Sequence, residues 1–263
     1  MLANKPLDIV KKYAPRVYFD NNEPFLPLVV GYTIADKAMS SPSFDRSLNP
    51  PENGFLIEYA IYWDWDIGHH YDLEHLWVYV NKSGEVEAFE ASAHGLYINL
   101  WPFPPTLAEM ENRLRNKRKD NRYCAAKGDN DNFSHIYSSG SGLIAYSQPG
   151  KHGFAPSPDW FEKASEYVIS ECTERAGSGG LLGGIYGDKL HDGNEDRDLL
   201  AREYLKRHAF IPSLIFEQII NLEIDIPLIP WGRLYNLIPE RVEQWMRALA
   251  RGEEMPGDIS VSS

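Results

Sequence analysis

The sequence predicts an α+β protein whose core is an antiparallel β-sandwich with peripheral and C-terminal helices. Aromatic residues make up 13% of the chain, and many stand beside Pro or Gly instead of at helical spacings. Residues 55–65 are β-branched and aromatic without Gly or Pro, which favours a strand. Helical patterns dominate the C-terminal part of the chain instead. The length of 263 residues suits one large domain, which we place at residues 1–252.

The N-terminal part predicts the strands of the sandwich. Residues 13–19, followed by a Pro-containing run at 23–27, predict an edge strand and an irregular loop, and residues 36–53 predict a loop. Three runs at 55–65, 72–80 and 85 to about 97, joined by polar or Gly-containing turns, predict an antiparallel meander. The sandwich core is therefore expected at residues 13–155, with a helical insertion at 101–141 and one further strand at 142–147.

The C-terminal part predicts helices that wrap the core. Helical patterns occur at 106–119, 159–175, 197–208, 214–221 and 239–251. We expect the helical wrap at 156–252 to bury Trp231 and Trp245, and the tail at 253–263 to be flexible. The glycine-rich run at 177–187 lacks the Lys-Ser/Thr of a phosphate-binding loop and predicts a flexible surface loop.

Charge and composition narrow the classes of partner. The formal net charge of −12 argues against nucleic acid, because binding to phosphates requires a concentrated basic face. The one basic run, at 113–122, is interpreted as a solvated helix face. Residues 1–12 contain no signal-peptide pattern and no stretch is apolar enough for a transmembrane segment, so a cytoplasmic protein is expected. Whether Cys124 and Cys172 pair is left open.

A cluster of acidic and histidine residues lies at the start of the second predicted strand. Asp72 and Glu74 share a strand face with apolar residues that must face the core, so both carboxylates continue a buried row at its open end. Two such carboxylates repel one another unless a cation joins them. Other candidate ligands come from the preceding strand end and the turn, namely Asp64 or Asp66, His69 and His70.

This set of one imidazole and several carboxylates suits a single divalent metal ion such as Ca²⁺, Mg²⁺, Mn²⁺ or Fe²⁺. The alternative is a surface ion-pair network with Arg or Lys. His94, in the segment 92–95 at the end of the third strand, is a candidate ligand, a group behind a ligand, or an acid/base. A buried structural histidine is the alternative for that position.

These motifs together resemble a known superfamily. The run Gly68-His69-His70-Tyr71-Asp72-Leu73-Glu74-His75, followed by a hydrophobic strand and Ser92-Ala93-His94-Gly95, resembles the necrosis- and ethylene-inducing-peptide-like proteins. The opening run at 13–19 with 23–27, and Gly150-Lys151-His152-Gly153, are more similar to a sister family named for vacuolar protein sorting. The resemblance implies a β-sandwich that binds a divalent ion through His69, Asp72, Glu74, and Asp64 or Asp66. Its toxic members act on sphingolipid headgroups outside cells, and this sequence lacks their secretion signal.

Three functions follow from this site. The first is a metal-dependent enzyme, hydrolytic, lytic or biosynthetic, that acts on a small or headgroup-like polar substrate and transfers protons through His94, His70 or Tyr71. The second is non-catalytic, metal-assisted binding of a lipid headgroup or glycan, which exposed aromatics near the rim, such as Trp63, Trp65, Trp101 and Phe103, would support. Core or loop packing is the alternative that we favour for most of these four residues. The third is a structural metal in an interaction module. The sequence predicts no particular reaction and no oligomeric state.

Overall fold

Two β-sheets pack face to face in the computed structural model, which describes residues 6–93, 95–101, 140–190 and 194–253. The fold is α+β, as predicted. Thirteen strands are present among the described residues: β1 (Arg16–Phe19), β2 (Val29–Ala35), β3 (Met39–Ser40), β4 (Ser47–Leu48), β5 (Phe55–Trp65), β6 (His69–Val80), β7 (Val86–Ala93), β8 (Leu96–Trp101), β9 (Ile144–Ser147), β10 (Phe154–Ala155), β11 (Gly180–Leu181), β12 (Gln218–Asn221) and β13 (Leu228–Pro230).

The large sheet carries the meander that the sequence predicts. Its strands run in the order β13-β2-β5-β6-β7-β8, and β11 pairs in parallel with the start of β6. Strand β5 has the predicted bounds, and its antiparallel register with β6 aligns Trp63 with Asp72 and Trp65 with His70. The predicted third strand is in fact two strands, because the chain turns at Gly95, whose φ is 78°, and returns as β8. The meander therefore has four strands.

The small sheet shows where the sequence predictions were wrong. Its order is β10-β9-β1-β12, so β1 lies inside the sheet, with parallel β9 on one side and antiparallel β12 on the other. Neither the edge position of β1 nor the helix expected at 214–221 is correct, since 218–221 forms β12. Strand β2 lies between the loops predicted at 23–27 and 36–53, and it is a full member of the large sheet.

Five α-helices are present in the described part of the chain, one before β1 and four after β10. They are α1 (Pro6–Lys12), α2 (Asp159–Lys163), α3 (Ser165–Cys172), α4 (Glu195–Arg207) and α5 (Trp231–Ala250), with 3-10 turns at Gly140–Gly142 and Gly184–Lys189. The predicted helix at 159–175 is divided into α2 and α3 at Ala164. Helix α4 begins at Asn194, whose side chain accepts from the N–H groups of Asp196 and Arg197. The predicted helix at 106–119 lies outside the described residues.

The core fills the space between the sheets, with a second layer on the outer face of the large sheet. Odd-numbered residues of β5, from Ile57 to Trp65, pack inward with Leu76, Val78 and the residues of β1. Even-numbered Ala60 and Tyr62 face outward and are covered by α5. Trp231 and Trp245 are buried, as expected. The period-two pattern of β5 therefore corresponds to two buried faces.

Candidate functional site

A pocket of about 530 Å³ opens at the end of the large sheet where β5 turns into β6. Its walls come from this turn and the first residues of β6, from residues 41–45, from Lys151, and from residues 182–185. Among the described residues, four carboxylates line it: Asp45, Asp66, Asp72 and Glu74. The pocket is within the size range of small-molecule sites, roughly 300–1,000 Å³.

Asp66 organises the turn. Its Oδ1 accepts hydrogen bonds from the backbone N–H groups of Gly68 and His69, both at 2.6 Å. Its Oδ2 lies 3.1 Å from Nε2 of His69 and also accepts from Nζ of Lys151. Burial raises the pKa of Asp66, but His69 and Lys151 lower it by more, so its pKa is lowered. The carboxylate is therefore ionised and both of its oxygens face donors or cations.

The imidazole of His69 faces two oxygens. Nδ1 lies 3.0 Å from the carbonyl oxygen of Tyr71, which can only accept, so Nδ1 carries a proton. Nε2 then faces the ionised Oδ2 of Asp66 at 3.1 Å. A neutral ring would direct its Nε2 lone pair at this oxygen. The contact therefore requires either a second proton on the ring or a cation bound to both atoms.

Lys151 reaches this turn from a distant and tightly bonded loop. The N–H of Gly150 donates to Oε2 of Glu23 at 2.6 Å, and the carbonyl of Gly150 accepts from Ile67 at 2.7 Å. The side chain of Lys151 is only 14% exposed. Burial lowers its pKa, but Asp66, Asp72 and Glu171 raise it by more, so the ammonium stays charged. A side chain at Gly68 would meet Nζ of Lys151 at 2.9 Å, so glycine leaves room for this ammonium.

Asp72 is held by His152 from the same loop. Nδ1 of His152 lies 3.1 Å from Oδ2 of Asp72, and Nε2 lies 3.6 Å from Oε1 of Glu23. The ring is fully buried and stacks on Trp63 with centroids 4.5 Å apart. Burial lowers the pKa of His152, but the two carboxylates outweigh this and raise it to about 9. His152 is thus a buried imidazolium that orients Asp72.

Glu74 and His75 form the inner end of the pocket. Glu74 is buried and accepts a hydrogen bond from Oγ of Ser92. Nε2 of His75 lies 2.9 Å from Oγ of Ser43, which in turn donates to the buried Glu58 at 2.9 Å. Burial, followed by the charge of Arg46, lowers the pKa of His75 to about 3. The His75 ring is therefore neutral near neutral pH.

The predicted candidate ligands separate into two groups. Asp66, His69, Asp72 and Glu74 line the pocket. Asp64 does not, because it still belongs to β5 and points to the outer face of the sheet, where Arg241 binds it. Strand β5 ends at Trp65, so the alternation of faces does not continue to Asp66. Of the two alternatives left open by the sequence, Asp66 lines the pocket and Asp64 does not.

The predicted proton-transfer residues are distributed differently. His70 is a correction: it is 1% exposed, packs edge-on against Trp65 at 4.1 Å and is absent from the pocket lining. Burial lowers the pKa of His70 to about 3. Tyr71 does line the pocket, and its hydroxyl donates to the carbonyl of Gly183 at 3.1 Å. His94 lies outside the described residues.

Among the residues that the structure describes, the tryptophans considered for headgroup binding do not form an exposed rim. Trp63 and Trp65 are fully buried in the core, since both belong to the inward face of β5. Trp101 is half-buried and Phe103 lies outside the described residues. Apolar exposure at the pocket is provided instead by Leu182 and Ile185, which are 41% and 45% exposed.

Several site residues were missed by sequence reasoning. The sequence analysis names Lys151 and His152 only within the run 150–153 that resembles a known family, and it assigns them no role in the site. Their partners, Asp66 and Asp72, lie about 80 positions earlier in the chain. The run at 177–187, expected to be a flexible loop, pairs with β6 through β11 and forms a pocket wall through its 3-10 turn. The glycines within 177–187 were the only local feature of the sequence that indicated a close backbone contact with β6.

In the part of the chain that the structure describes, no group of three or more His, Cys, Asp or Glu side chains is arranged to hold a metal ion. No described helix has the length and apolar character needed to span a membrane. Comparisons with known protein families, with curated proteins and with solved structures found no match. The family resemblance of the sequence motifs stays a prediction.

Proposed function

We propose that the protein is a divalent-metal-dependent enzyme that acts on a small or headgroup-like polar substrate in the pocket beside Asp66. The observation that carries the proposal is the contact between Oδ2 of Asp66 and Nε2 of His69 at 3.1 Å. Adjacent ligands of an octahedral Mg²⁺ or Mn²⁺ ion stand about 3 Å apart, given metal–ligand distances of roughly 2.1 Å. The pair thus has the spacing and donor chemistry of two neighbouring ligands.

The orientation of His69 supports the same proposal. Its Nδ1 is bonded to the Tyr71 carbonyl, which holds the ring in the tautomer whose Nε2 can accept a cation. Asp72 and Glu74 line the same pocket and supply further carboxylates. A set of three carboxylates and one imidazole suits Mg²⁺, Mn²⁺, Ca²⁺ or Fe²⁺. Asp66 and His69 would hold the ion as a pair, and Asp72 and Glu74 would have to turn toward it from His152 and Ser92 to complete the set.

Other residues of the pocket would contribute to substrate binding around the ion. A bound divalent ion supplies Lewis acidity toward a substrate oxygen. The Tyr71 hydroxyl stays protonated, because burial raises its pKa, and it would have to turn from the carbonyl of Gly183 to donate a hydrogen bond to a substrate. His75 lines the inner end of the pocket as a neutral ring, because burial lowers its pKa to about 3, and it would present an uncharged polar wall to a substrate. Leu182 and Ile185 exclude water at the mouth.

Metal titration tests the proposal. Protein stripped with EDTA is titrated with Mn²⁺, and we expect one ion per chain, with affinity at least tenfold weaker in Asp66→Asn and His69→Ala. Asp64→Asn is the matched control, since Asp64 is two positions away but bound by Arg241, and it should retain wild-type affinity. Hydrolysis of p-nitrophenyl phosphate, bis-p-nitrophenyl phosphate and p-nitrophenyl acetate is then measured with and without Mn²⁺. Absence of binding, or binding that survives Asp66→Asn, overturns the proposal.

Non-catalytic binding of a headgroup or glycan is the second candidate. The exposed side chains of Leu182 and Ile185 beside an acidic, Lys-containing pocket favour an amphiphilic ligand. Flotation with phosphatidylcholine vesicles, with and without a glycosphingolipid, distinguishes this candidate. Mn²⁺-dependent flotation that is lost in Leu182→Glu, without turnover of any ester, would favour binding over catalysis.

A further inference from the structure

We propose that Lys151 is a built-in competitor for the divalent ion: its ammonium occupies the cation position at Asp66 and must leave before an ion can bind there. This inference rests on the proposed function, because it concerns the same ion. It concerns one carboxylate oxygen, Oδ2 of Asp66, which contacts both Lys151 and His69.

The ammonium and the ion would use the same oxygen. Nζ of Lys151 donates to Oδ2 of Asp66, and this is also the oxygen that faces Nε2 of His69 at 3.1 Å. The other oxygen, Oδ1, is already bonded to two backbone N–H groups. A cation that binds Oδ2 together with His69 would share this oxygen with the ammonium, and because the two positive charges repel one another, its binding favours departure of the ammonium.

The backbone of the loop holds the competitor in place. Gly150 is fixed through both its N–H and its carbonyl, by Glu23 and Ile67. On the other side, the N–H of His152 donates to Gln148 at 2.9 Å and its ring is bound by Asp72. Only the flexible four-carbon stem of Lys151 remains to move. A group tethered in this way acts at an effective concentration on the order of millimolar or higher.

The tether implies selectivity for divalent over monovalent ions. A Na⁺ or K⁺ ion carries the same charge as the ammonium and would have to replace a hydrogen bond that is already formed. A divalent ion doubles the Coulomb attraction to Asp66 and gains His69 as a ligand. Lys151 can yield without unfolding the loop, because the side chain borders a pocket of about 530 Å³.

Removal of the competitor is the first test. Mn²⁺ affinity is measured by calorimetry for wild type, Lys151→Met and Lys189→Met, each stripped with EDTA. Lys189→Met is the matched control, because it removes the same charge from an exposed position on the neighbouring 3-10 turn. We expect Lys151→Met to bind Mn²⁺ at least tenfold more tightly than wild type, and Lys189→Met to change affinity less than threefold.

Release of the ammonium is read out separately. Acetylation of Lys151 by sulfo-NHS-acetate is quantified by peptide mass spectrometry with and without Mn²⁺, with Lys189 as the internal reference. We expect Mn²⁺ to increase labelling of Lys151 at least threefold and to leave Lys189 unchanged. Labelling that falls or stays constant while the wild type binds Mn²⁺ would contradict the displacement.

The outcomes separate this inference from the proposed function. Equal Mn²⁺ affinity in wild type and Lys151→Met overturns the role of Lys151 and leaves the ion site standing. No binding in either protein overturns the proposed function and this inference with it. Binding in Lys151→Met alone supports the competition by Lys151 but overturns the proposed function, because the wild-type chain then holds no ion.

Discussion

Arg241 binds the carboxylate of Asp64 through Nε and Nη2, with nitrogen–oxygen distances between 2.8 and 3.1 Å. Both side chains are buried, and the Tyr62 hydroxyl donates to the same carboxylate at 2.9 Å. The pair attaches helix α5 to the outer face of the large sheet. Two positions further on, Asp66 is bound by Lys151 instead. Asp64 thus connects a helix to the sheet, whereas Asp66 lines the pocket.

Arg241→Met should destabilise the protein by about 3–5 kcal/mol, because it leaves a buried carboxylate without its cation. The double variant Asp64→Asn/Arg241→Met should recover part of this loss, since both charges are then absent. Urea unfolding measures both effects. Mn²⁺ affinity should be unchanged in the double variant. A loss below about 1 kcal/mol in Arg241→Met would show that the pair contributes no more than a surface salt bridge.

Metal removal should lower the stability of the wild type. A ligand that binds only the folded state stabilises it by about 2.7 kcal/mol at a hundredfold excess over its Kd. We expect Mn²⁺ at that excess to raise the thermal midpoint of EDTA-stripped protein, and we expect no rise for Asp66→Asn. Asp64→Asn should start from a lower midpoint and still show the rise. Identical midpoints in EDTA and Mn²⁺ would argue against the ion site.

The buried His152 predicts a loss of stability on the alkaline side. Its pKa is raised to about 9 in the folded protein, from about 6.5 when unfolded. Its stabilising contribution is thus fully present below pH 6.5 and lost as the pH rises through 9. The loss amounts to about 3 kcal/mol at 1.36 kcal/mol per pKa unit. Urea unfolding in EDTA from pH 6 to 9.5 should therefore show a steeper decline for wild type than for His152→Gln. Parallel curves would exclude a charged, buried His152.

Gly184→Ala should narrow the pocket without touching the carboxylates. Gly184 has a φ of 50°, and an added Cβ would collide with the phenol of Tyr71. The matched control is Gly252→Ala, where φ is 72° but no atom lies within 4 Å. We expect about 1–2 kcal/mol of destabilisation in the control from backbone strain alone, and a further 1–3 kcal/mol in Gly184→Ala. Equal losses of unfolding free energy in the two variants would show that Tyr71 moves aside for the new methyl group without a further cost in stability.

The sequence pattern was sufficient for β5, β6 and part of the site. Alternation along 55–65 predicted β5 and its two faces, and the same parity brought Asp72 and Glu74 to the open end of a buried row. The choice between Asp64 and Asp66 depends on where β5 ends, which the alternation does not encode. Lys151 and His152 depend on contacts between distant segments, and the local sequence carries no record of those partners.

The failed helix at 214–221 has a similar cause. Its apolar residues have helical spacing, but Asp20 accepts hydrogen bonds from the N–H groups of Ser213 and Leu214. Leu214 adopts a φ of 57°, which a right-handed helix excludes. Pairing with β1 then draws the following residues into β12. A tertiary contact thus overrides the local preference.

The position of β1 has a consequence for synthesis of the chain. Both edges of this early, apolar strand are covered by segments made much later, Ile144–Ser147 and Gln218–Asn221. During translation, Val17 and Phe19 therefore leave the ribosome long before either partner exists. Unpaired strand edges of this kind promote association between nascent chains. We expect the protein to depend on chaperones that shield its first strands, and to be more prone to aggregation when synthesis stops before residue 221 than when the chain is completed.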